Sequence, residues 1–339
     1  VRTFTANGLL AIGASPVMSE CSEDLKDLIV HAAALLINIG TVTPDKVTYY
    51  KEAVKLAKAH EVPIVLDPVG CHAGAYRLSV VLDLIKTDAI SLLRGNQSEI
   101  KAIYDALNTN HKIDSSLSGK GVDGEQVEDS AIITYRLARQ INCPVVATGE
   151  EDYVSDGTRV FAVPHGHSIM TAVTGTGCLL GAVLAAFFSS YYPFMDNLSI
   201  GEFLAYALAY YGLAGESAVK VSGVKPGIFS VAFMDALYEF DDAMLLSKNR
   251  IRPVVVPDQL KVYFISGTQD VGFNERHLLD TVEAACRGGV TCFQFREKGI
   301  GTLEGQQKLE LAQQLKEICA MYNVLYIIND DVDLAVAVN

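Results

Sequence analysis

The chain has 339 residues, which at roughly 150 residues per domain is material for about two domains. Half of the residues are hydrophobic and only 20% are charged, so the sequence is not that of an intrinsically disordered protein, which would be poor in apolar residues. The net charge is −13 and no basic face is evident, which excludes the usual kind of nucleic-acid-binding surface. Seven cysteines without a CxxC pair exclude a disulfide framework or zinc site and favour a reducing cytoplasm.

The first 246 residues alternate short apolar runs with segments of helical periodicity. The apolar runs predict buried strands at 33–40, 63–70, 89–93 and 144–149, and an edge or hairpin strand at 159–163. One helix is predicted to begin after Thr43, which would be its N-cap. Further helices are predicted through Ile100 and Leu107, and at 175–190, 200–221 and 229–246. Buried strands alternating with helices imply parallel βαβ units, and therefore an α/β sandwich with helices on both faces. Ligands of such sheets bind beyond the carboxyl ends of the strands.

The chain carries no Asp, Glu, Lys or Arg between Arg159 and Asp196. Its continuous apolar part, 179–188, is too short to cross a bilayer, which requires about 20 apolar residues. We therefore predict a buried helix of a soluble protein and no membrane partner.

A second alternation begins after residues 248–260, which combine basic residues with two prolines and are predicted to be a linker. Strands are predicted at 261–266, 290–298 and 324–331, with helices through Leu278 and at 304–321. Strands that recur about every 30 residues with helices between them are typical of a (β/α)₈ barrel.

The run VTGTGCL (173–179) places a glycine turn before an apolar helix. The first N–H groups of that helix and the positive end of its dipole would form an anion hole at Thr176 and Gly177. Cys178 lies at the same helix terminus, where a thiol pKa should be lowered and the thiol could act as a base. A purely structural turn and a small buried cysteine explain the same residues. Two histidines precede the run, fit no common metal motif and are interpreted as loop residues: His165 and His167.

Two other strand ends carry candidate site residues. Arg94 is a permanent cation at a strand end and suits phosphate. Asn96 and Glu99 have the spacing of a helix capping box, which explains both without a ligand. Asp67 follows a buried strand and could hold Mg²⁺ through water, although an ordinary Asp-Pro turn is the alternative.

Five motifs in the first part closely resemble hydroxyethylthiazole kinase, an enzyme with the ribokinase-like fold. They are TANGLLAIGASPVM (5–18), DPVG (67–70), RGNQSEI (94–100), VATGEEDYVSDG (146–157) and TGTGCLLGAVLAAF (174–187). The resemblance implies that 5-(2-hydroxyethyl)-4-methylthiazole is phosphorylated by ATP with Mg²⁺ in a cytoplasmic homotrimer. It also implies an N-terminally clipped domain over 1–247, since the family has a further strand and helix before TANGLL.

The resemblance assigns a role to each matching residue. Met18 and Gly175 would contact the thiazole, and Arg94 and Thr148 would contact ATP. Cys178 would stand where other ribokinase-like enzymes carry an Asp base. The Mg²⁺ and its water would be ordered by Asp67 and Glu99.

The second part carries polar residues at two strand ends. Gln294, Arg296 and Lys298 share one side of a strand by alternation and suit a diphosphate, unless they form an ordinary solvated charge cluster. Asn329 and Asp330 end the next strand, where a carboxylate suits Mg²⁺ and a simple turn is the alternative.

The segments VYFIS, GGVTCFQFREK and LYIINDDVDLAVAV resemble thiamin phosphate synthase, a (β/α)₈ barrel. By this resemblance Gln294, Arg296, Lys298 and Asn329 would bind 4-amino-2-methyl-5-pyrimidinylmethyl diphosphate, and Asp330 would bind Mg²⁺. Residues 261–339 would supply only the first three strands, so we expect no synthase activity from them.

The prediction is therefore a thiazole kinase fused to the N-terminal part of a synthase that uses the kinase product. One alternative is another ribokinase-like enzyme that acts on a hydroxymethylpyrimidine or a sugar. In a second alternative, the C-terminal part binds a ligand or supports assembly without catalysis.

Overall fold

The computed structural model describes residues 1–108, 129–196 and 198–338. The chain divides into two compact units, Val1–Val254 and Val255–Asn339. Asn339, where the predicted synthase-like segment ends, lies outside the described residues. No helix in the described part of the chain is long and apolar enough to cross a membrane.

The first unit is a seven-stranded sheet flanked by helices. The strands are β1 (Leu35–Asn38), β2 (Ile64–Asp67), β3 (Leu92–Asn96), β4 (Val145–Thr148), β5 (Asp152–Ser155), β6 (Val160–Val163) and β7 (Arg252–Val254). They lie side by side in that order; β1 to β4 are parallel, and β5 to β7 add antiparallel strands. The four predicted parallel strands are confirmed.

The helices of this unit precede, separate and follow the strands. They are α1 (Arg2–Ala11), α2 (Ser22–Ile29), α3 (Pro44–Ala59), α4 (Ala75–Ile85), α5 (Gln97–Asn108), α6 (Ser130–Ile141), α7 (Thr176–Ser189), α8 (Ile200–Ser222), α9 (Pro226–Tyr238) and α10 (Asp242–Lys248). The single helix predicted at 229–246 is wrong: Asp241 accepts a hydrogen bond from the Ala243 amide at 2.9 Å and caps a new helix.

Side chains that alternate along the buried strands pack into two hydrophobic cores, one on each face of the sheet. Val65 of β2 packs with α7, α8 and α9, whereas its neighbours Ile64 and Leu66 pack with α3 and α4. This division follows from the two-residue period of a strand and confirms the predicted three-layer α/β sandwich.

The antiparallel half of the sheet differs from the prediction. Strand β5 was not predicted, and β6 is an interior strand, because β7 pairs with its outer side. Residues 252–254 therefore belong to the sheet of the first unit, although 248–260 were predicted to be a linker.

The second unit alternates strands and helices. Its elements are β8 (Tyr263–Ser266), α11 (Glu275–Arg287), β9 (Cys292–Phe295), α12 (Gly305–Met321), β10 (Leu325–Ile328) and α13 (Val332–Val338). The three strands are parallel and lie in the order β10-β9-β8. Leu278, Phe293 and Leu315 belong to a core of its own. The predicted β-α-β-α-β order, the start of a barrel of the (β/α)₈ type, is confirmed.

Candidate active site

The parallel strands of the first unit carry polar residues to one edge of the sheet. Asn38, Asp67 and Thr148 end β1, β2 and β4, and Arg94 lies in β3 between the last two. Their strands run in the same direction, so these side chains meet at the edge where ligands of open α/β sheets bind.

A buried carboxyl and a buried guanidinium occupy the centre of this edge. Asp67 is fully buried, and both of its oxygens lie 3.5 Å from Arg94 Nη1. The Asn38 amide donates to Asp67 Oδ2 at 2.8 Å, and Arg94 Nη2 donates to Thr148 Oγ1 at 3.1 Å. The buried Nε of Arg94 has no hydrogen-bond partner among the described residues, so this cation retains a donor for an anionic ligand.

Burial changes the titration of this pair. Desolvation raises the pKa of Asp67 to about 7; the Arg94 charge opposes this shift and the Glu99 carboxylate adds to it. The carboxyl group is therefore poised to lose a proton near neutral pH, when a cation arrives beside it.

Glu99 is held by Asn96, the last residue of β3, which directly precedes helix α5. Its Oε2 accepts a hydrogen bond from the backbone N–H of Asn96 at 2.7 Å, and the backbone N–H of Glu99 donates to Asn96 Oδ1 at 2.8 Å. This pair of hydrogen bonds confirms the capping box. Its Oε1 accepts the Gly70 amide at 2.7 Å and so ties the loop after β2 to α5. The cap explains the Asn96–Glu99 spacing, but not why the other oxygen of Glu99 reaches across to Gly70.

The glycine turn at 175–177 brings helix α7 onto this cluster. Gly175 adopts a φ of +104°, a conformation that favours glycine, and the helix begins at Thr176. A Cβ on Gly177 would lie 3.5 Å from Arg94 Nη2, and a Cβ on Gly181 would lie 3.2 Å from Asp67 Oδ2. The helix N-terminus and the guanidinium therefore converge on one point, as a phosphate site requires.

The predicted lowering of the Cys178 pKa is wrong. Burial, reinforced by the nearby Asp67 carboxyl, raises the pKa of this thiol, and the Asn38 hydrogen bond and the Arg94 charge only partly compensate. Half-buried Cys178 is consequently a protonated thiol at neutral pH.

The donor set at the sheet edge suits a magnesium ion that is shared with phosphate. Glu99 is close enough to Asp67 to raise the pKa of that carboxyl electrostatically, yet no group of three or more His, Cys, Asp or Glu ligands forms within the described ranges. Mg²⁺ normally needs only one or two carboxylates when water and substrate phosphates complete its shell. The residues present therefore fit the ion where water and phosphate complete its shell.

Two further residues bear on the candidate site, one on a connecting segment and one on a strand of the sheet. Met18 lies between α1 and α2 in a segment without regular secondary structure and is 49% exposed, so the described chain does not enclose it in a pocket. Asp152 at the start of β5 was missed by the sequence reasoning: burial raises its pKa to about 7, and Arg94 is the cation that opposes the shift. Only its place in the EEDY run could have drawn attention to it.

The second unit gathers part of its predicted cluster. Gln294 is half-buried on β9, Arg296 and Lys298 follow the strand and are exposed, and Lys298 forms an ion pair with Asp330. The hydrogen bond and charge of Lys298 lower the pKa of Asp330, and a hydrogen bond with the Asn329 side chain adds to the effect. Lys298 thus neutralises the carboxylate that was expected to bind metal.

Comparisons with known proteins agree with this division of the chain. Residues 1–243 match the family model described as "Hydroxyethylthiazole kinase family", and residues 262–339 match the one described as "Thiamine monophosphate synthase".

Several named proteins resemble the first part. A hydroxyethylthiazole kinase of Streptococcus agalactiae serotype Ia is 48% identical over 249 residues, covering 73% of this chain and 92% of that protein. One from Streptococcus suis is 44% identical over 238 residues, covering 70% of this chain and 86% of that protein. The solved hydroxyethylthiazole kinase structure from Pyrococcus horikoshii OT3 is similar with a TM-score of 0.64 at 34% identity, over 74% of this chain and 89% of that chain.

Proposed function

Residues 1–243 belong to the hydroxyethylthiazole kinase family, and on that premise we propose that the Asp67–Arg94 edge transfers the γ-phosphoryl group of ATP to the hydroxyethyl oxygen of 5-(2-hydroxyethyl)-4-methylthiazole. One observation carries this placement: the Arg94 guanidinium lies against both Thr148 and the N-terminus of α7. Phosphoryl transfer depends mainly on positioning and on stabilising the charge of the transferred group, which a buried cation and a helix terminus provide.

Each residue of the edge has a defined task in this proposal. Arg94 and the amides that follow Gly175 bind phosphate oxygens, while Thr148, whose hydroxyl lies 3.3 Å from the Gly95 carbonyl, orients the guanidinium beside ATP. Asp67 and Glu99 hold Mg²⁺, which when bound neutralises phosphate charge. Met18 and Gly175 face the thiazole.

Cys178 assists proton removal from the substrate hydroxyl but is not indispensable. Its raised pKa leaves it protonated, so it is a weak base in the free enzyme. A loose transition state requires little help from a base, because the nucleophilic oxygen loses its proton late.

The assembly and location are also part of the proposal. Val17 and Met18 are 70% and 49% exposed, and a homotrimer in which a second copy covers them would enclose the thiazole. All seven cysteines are free, as expected of a protein in the reducing cytoplasm.

For the second unit we propose that Gln294, Arg296, Lys298 and Asn329 bind a pyrimidine diphosphate, with Asp330 beside Mg²⁺. The half-buried Gln294 on β9 and the exposed Arg296 that follows this strand support the assignment. Saturable binding of the pyrimidine diphosphate without turnover would favour the alternative of a non-catalytic module.

The kinase proposal is tested by following ADP formation from Mg·ATP with the thiazole alcohol or with hydroxymethylpyrimidine. We expect turnover of the thiazole alcohol and a loss of about 100-fold or more in Arg94→Gln, consistent with removing a charge stabiliser from a phosphoryl-transfer site. Arg139→Gln is the matched control, since Arg139 contacts Tyr135 and the Gly157 carbonyl instead. Preferential turnover of the pyrimidine, or full activity in Arg94→Gln, would refute the proposal.

A further inference from the structure

A buried histidine outside the Asp67–Arg94 edge joins three distant parts of the first unit. The side chain of His165 is fully buried, and its Nδ1 lies 3.2 Å from Glu216 Oε1 of α8. The Arg250 amide donates to His165 Nε2 at 3.1 Å, so Nε2 is the acceptor and we assign the proton to Nδ1, which donates to Glu216. Burial lowers the pKa of His165, with Arg250 adding to the effect and Glu216 opposing it, so the ring is neutral.

Glu216 is the centre of a cluster that it forms with His165, Gly166 and Arg250. In addition to His165, its Oε1 accepts from Arg250 Nη2 at 2.9 Å and from the Gly166 amide at 3.2 Å. Gly166 has a φ of +122°, so the carboxylate stabilises the chain where it turns sharply away from β6.

The chain that leaves this cluster leads directly to the glycine turn. Residues 168–172 form a 3₁₀ turn, and the Met170 carbonyl at its centre accepts from Thr176 Oγ1 at 2.7 Å. The Thr176 carbonyl accepts from Tyr211 Oη, also at 2.7 Å. Thr176, the first residue of α7, is therefore fixed on one side by Met170 and on the other by Tyr211 of α8.

One face of α8 supports the whole segment from His165 to Thr176. Tyr211, Gly212, Gly215 and Glu216 recur at the spacing that places residues on a common helix face. A Cβ on Gly212 would lie 2.6 Å from His165 Cβ, and a Cβ on Gly215 would lie 2.6 Å from Met170 Sδ. The two glycines allow the segment 165–176 to lie directly on the helix. Glu216 holds the first residues of this segment, His165 and Gly166.

We propose that Glu216, together with His165 and Arg250, is a positioning residue for phosphoryl transfer. It fixes the segment 165–176, and with it the α7 terminus at Gly175 to Gly177, without touching the reacting atoms. The inference rests on the proposed function, which places the transferred phosphoryl group at that terminus.

The expected kinetic signature is a loss in kcat larger than the change in KM. Donors at a helix terminus act where charge develops in the transition state, and a misplacement of about 1 Å can cost about 100-fold in rate. Gly175 faces the thiazole but has no side chain to bind it, so the thiazole gains little binding energy from this terminus. Glu216→Ala should therefore lower kcat at least about tenfold and leave KM for the thiazole alcohol within about threefold.

Conservative variants separate a specific role from general loss of structure. Glu216→Gln keeps an acceptor oxygen for the Gly166 amide and should recover a substantial part of kcat. His165→Gln can still accept from the Arg250 amide, whereas His165→Asn can still donate to Glu216. If Glu216 is the centre, His165→Asn retains more activity than His165→Gln.

The control is Glu202→Gln, on the same helix, where the carboxylate pairs with Arg159 at 3.9 Å. It should keep the wild-type kcat, and the melting temperature of every variant reports whether it is folded.

A wild-type kcat in Glu216→Ala, or a loss no larger than the loss of folded protein, would overturn the inference. So would Glu216→Gln being as inactive as Glu216→Ala although folded. Arg94→Gln, assayed in parallel, distinguishes the two failures. If it is inactive while Glu216→Ala is fully active, only the positioning role fails; if it is fully active, the proposed phosphate site fails.

Discussion

Gly181 faces Asp67 so closely that a methyl group in place of its hydrogen would lie 3.2 Å from the buried Oδ2. This one contact sets how near α7 can approach the end of β2, because Asp67 is itself fixed by Asn38 and Arg94. The geometry of the Asp67–Arg94 edge therefore depends on a residue that carries no functional group.

Gly181→Ala should lower kinase turnover at least about tenfold with little loss of stability. Ala is favoured over Gly in a helix by about 0.5–1 kcal/mol, which offsets part of the steric cost, while the displaced carboxylate loses its geometry. Turnover and the free energy of unfolding are measured together. Gly227→Ala is the control, since a Cβ at Gly227 meets open space; equal turnover in the two variants would contradict the prediction.

Metal-dependent activity should rise with pH through about 7. Asp67 must be ionised to bind Mg²⁺, and burial raises its pKa to about 7, so protons compete with the metal below that value. We expect kcat/KM for Mg·ATP to rise between pH 6 and 8 in the wild type and in Asp152→Asn, and to be low and flat in Asp67→Asn. A flat wild-type profile would contradict this.

The same raised pKa makes a prediction for the ligand-free protein. The folded state retains a proton on Asp67 that the unfolded chain, with a pKa near 3.8, has released. The free energy of unfolding should therefore fall as the pH rises from about 4 to about 7 and lose this dependence above that range. Urea titrations across this range measure it, and Asp67→Asn should weaken the slope.

Cys178→Asp should retain or increase turnover. The thiol is protonated at neutral pH because burial raises its pKa, whereas a carboxylate at this position would accept the hydroxyl proton more readily. Cys143→Ala, a change at a buried cysteine of the opposite core, controls for the loss of a thiol. Complete loss of activity in folded Cys178→Asp would sink the idea.

The 339-residue chain should form thiazole phosphate but no thiamin phosphate when it is given the pyrimidine diphosphate as well. The described second unit is an open three-stranded sheet, and Ile265 on its edge strand β8 is 48% exposed, whereas a barrel encloses its strands. Adding a separate, active synthase to the same mixture should yield thiamin phosphate and so confirm that the intermediate is available. Thiamin phosphate formation without it would disprove the prediction.

The sequence predicts the parallel half of the sheet well and the rest less well, for a physical reason. Runs such as PIVLDPVG are buried on both faces and are bounded by turn residues, so local composition identifies them. Strand β5 is short and contains Asp152 and Tyr153, and it exists because β4 and β6 pair with it. Such pairing is a tertiary effect that local composition does not carry.

The same limit applies to the site. The Asn96–Glu99 cap involves residues three positions apart and was predicted from that spacing. His165 lies in a loop, as predicted, but its partners Glu216 and Arg250 were not predicted, because they lie 51 and 85 positions away in the sequence. The Cys178 pKa was predicted in the wrong direction, because the helix terminus is visible in the sequence but the burial around the thiol is not.

Strand β7 has a practical consequence for anyone who wishes to produce the kinase alone. Pro253 and its neighbours cover β6, and Arg252 donates to both oxygens of Glu151, at 2.8 and 2.7 Å, beside the loop that follows Thr148. A protein that ends after Lys248, where the helices end, would lack the outermost strand β7 and would expose the unpaired backbone N–H and C=O groups of β6, which favour aggregation. A protein that ends after Val254 would keep the pairing of β6 with β7.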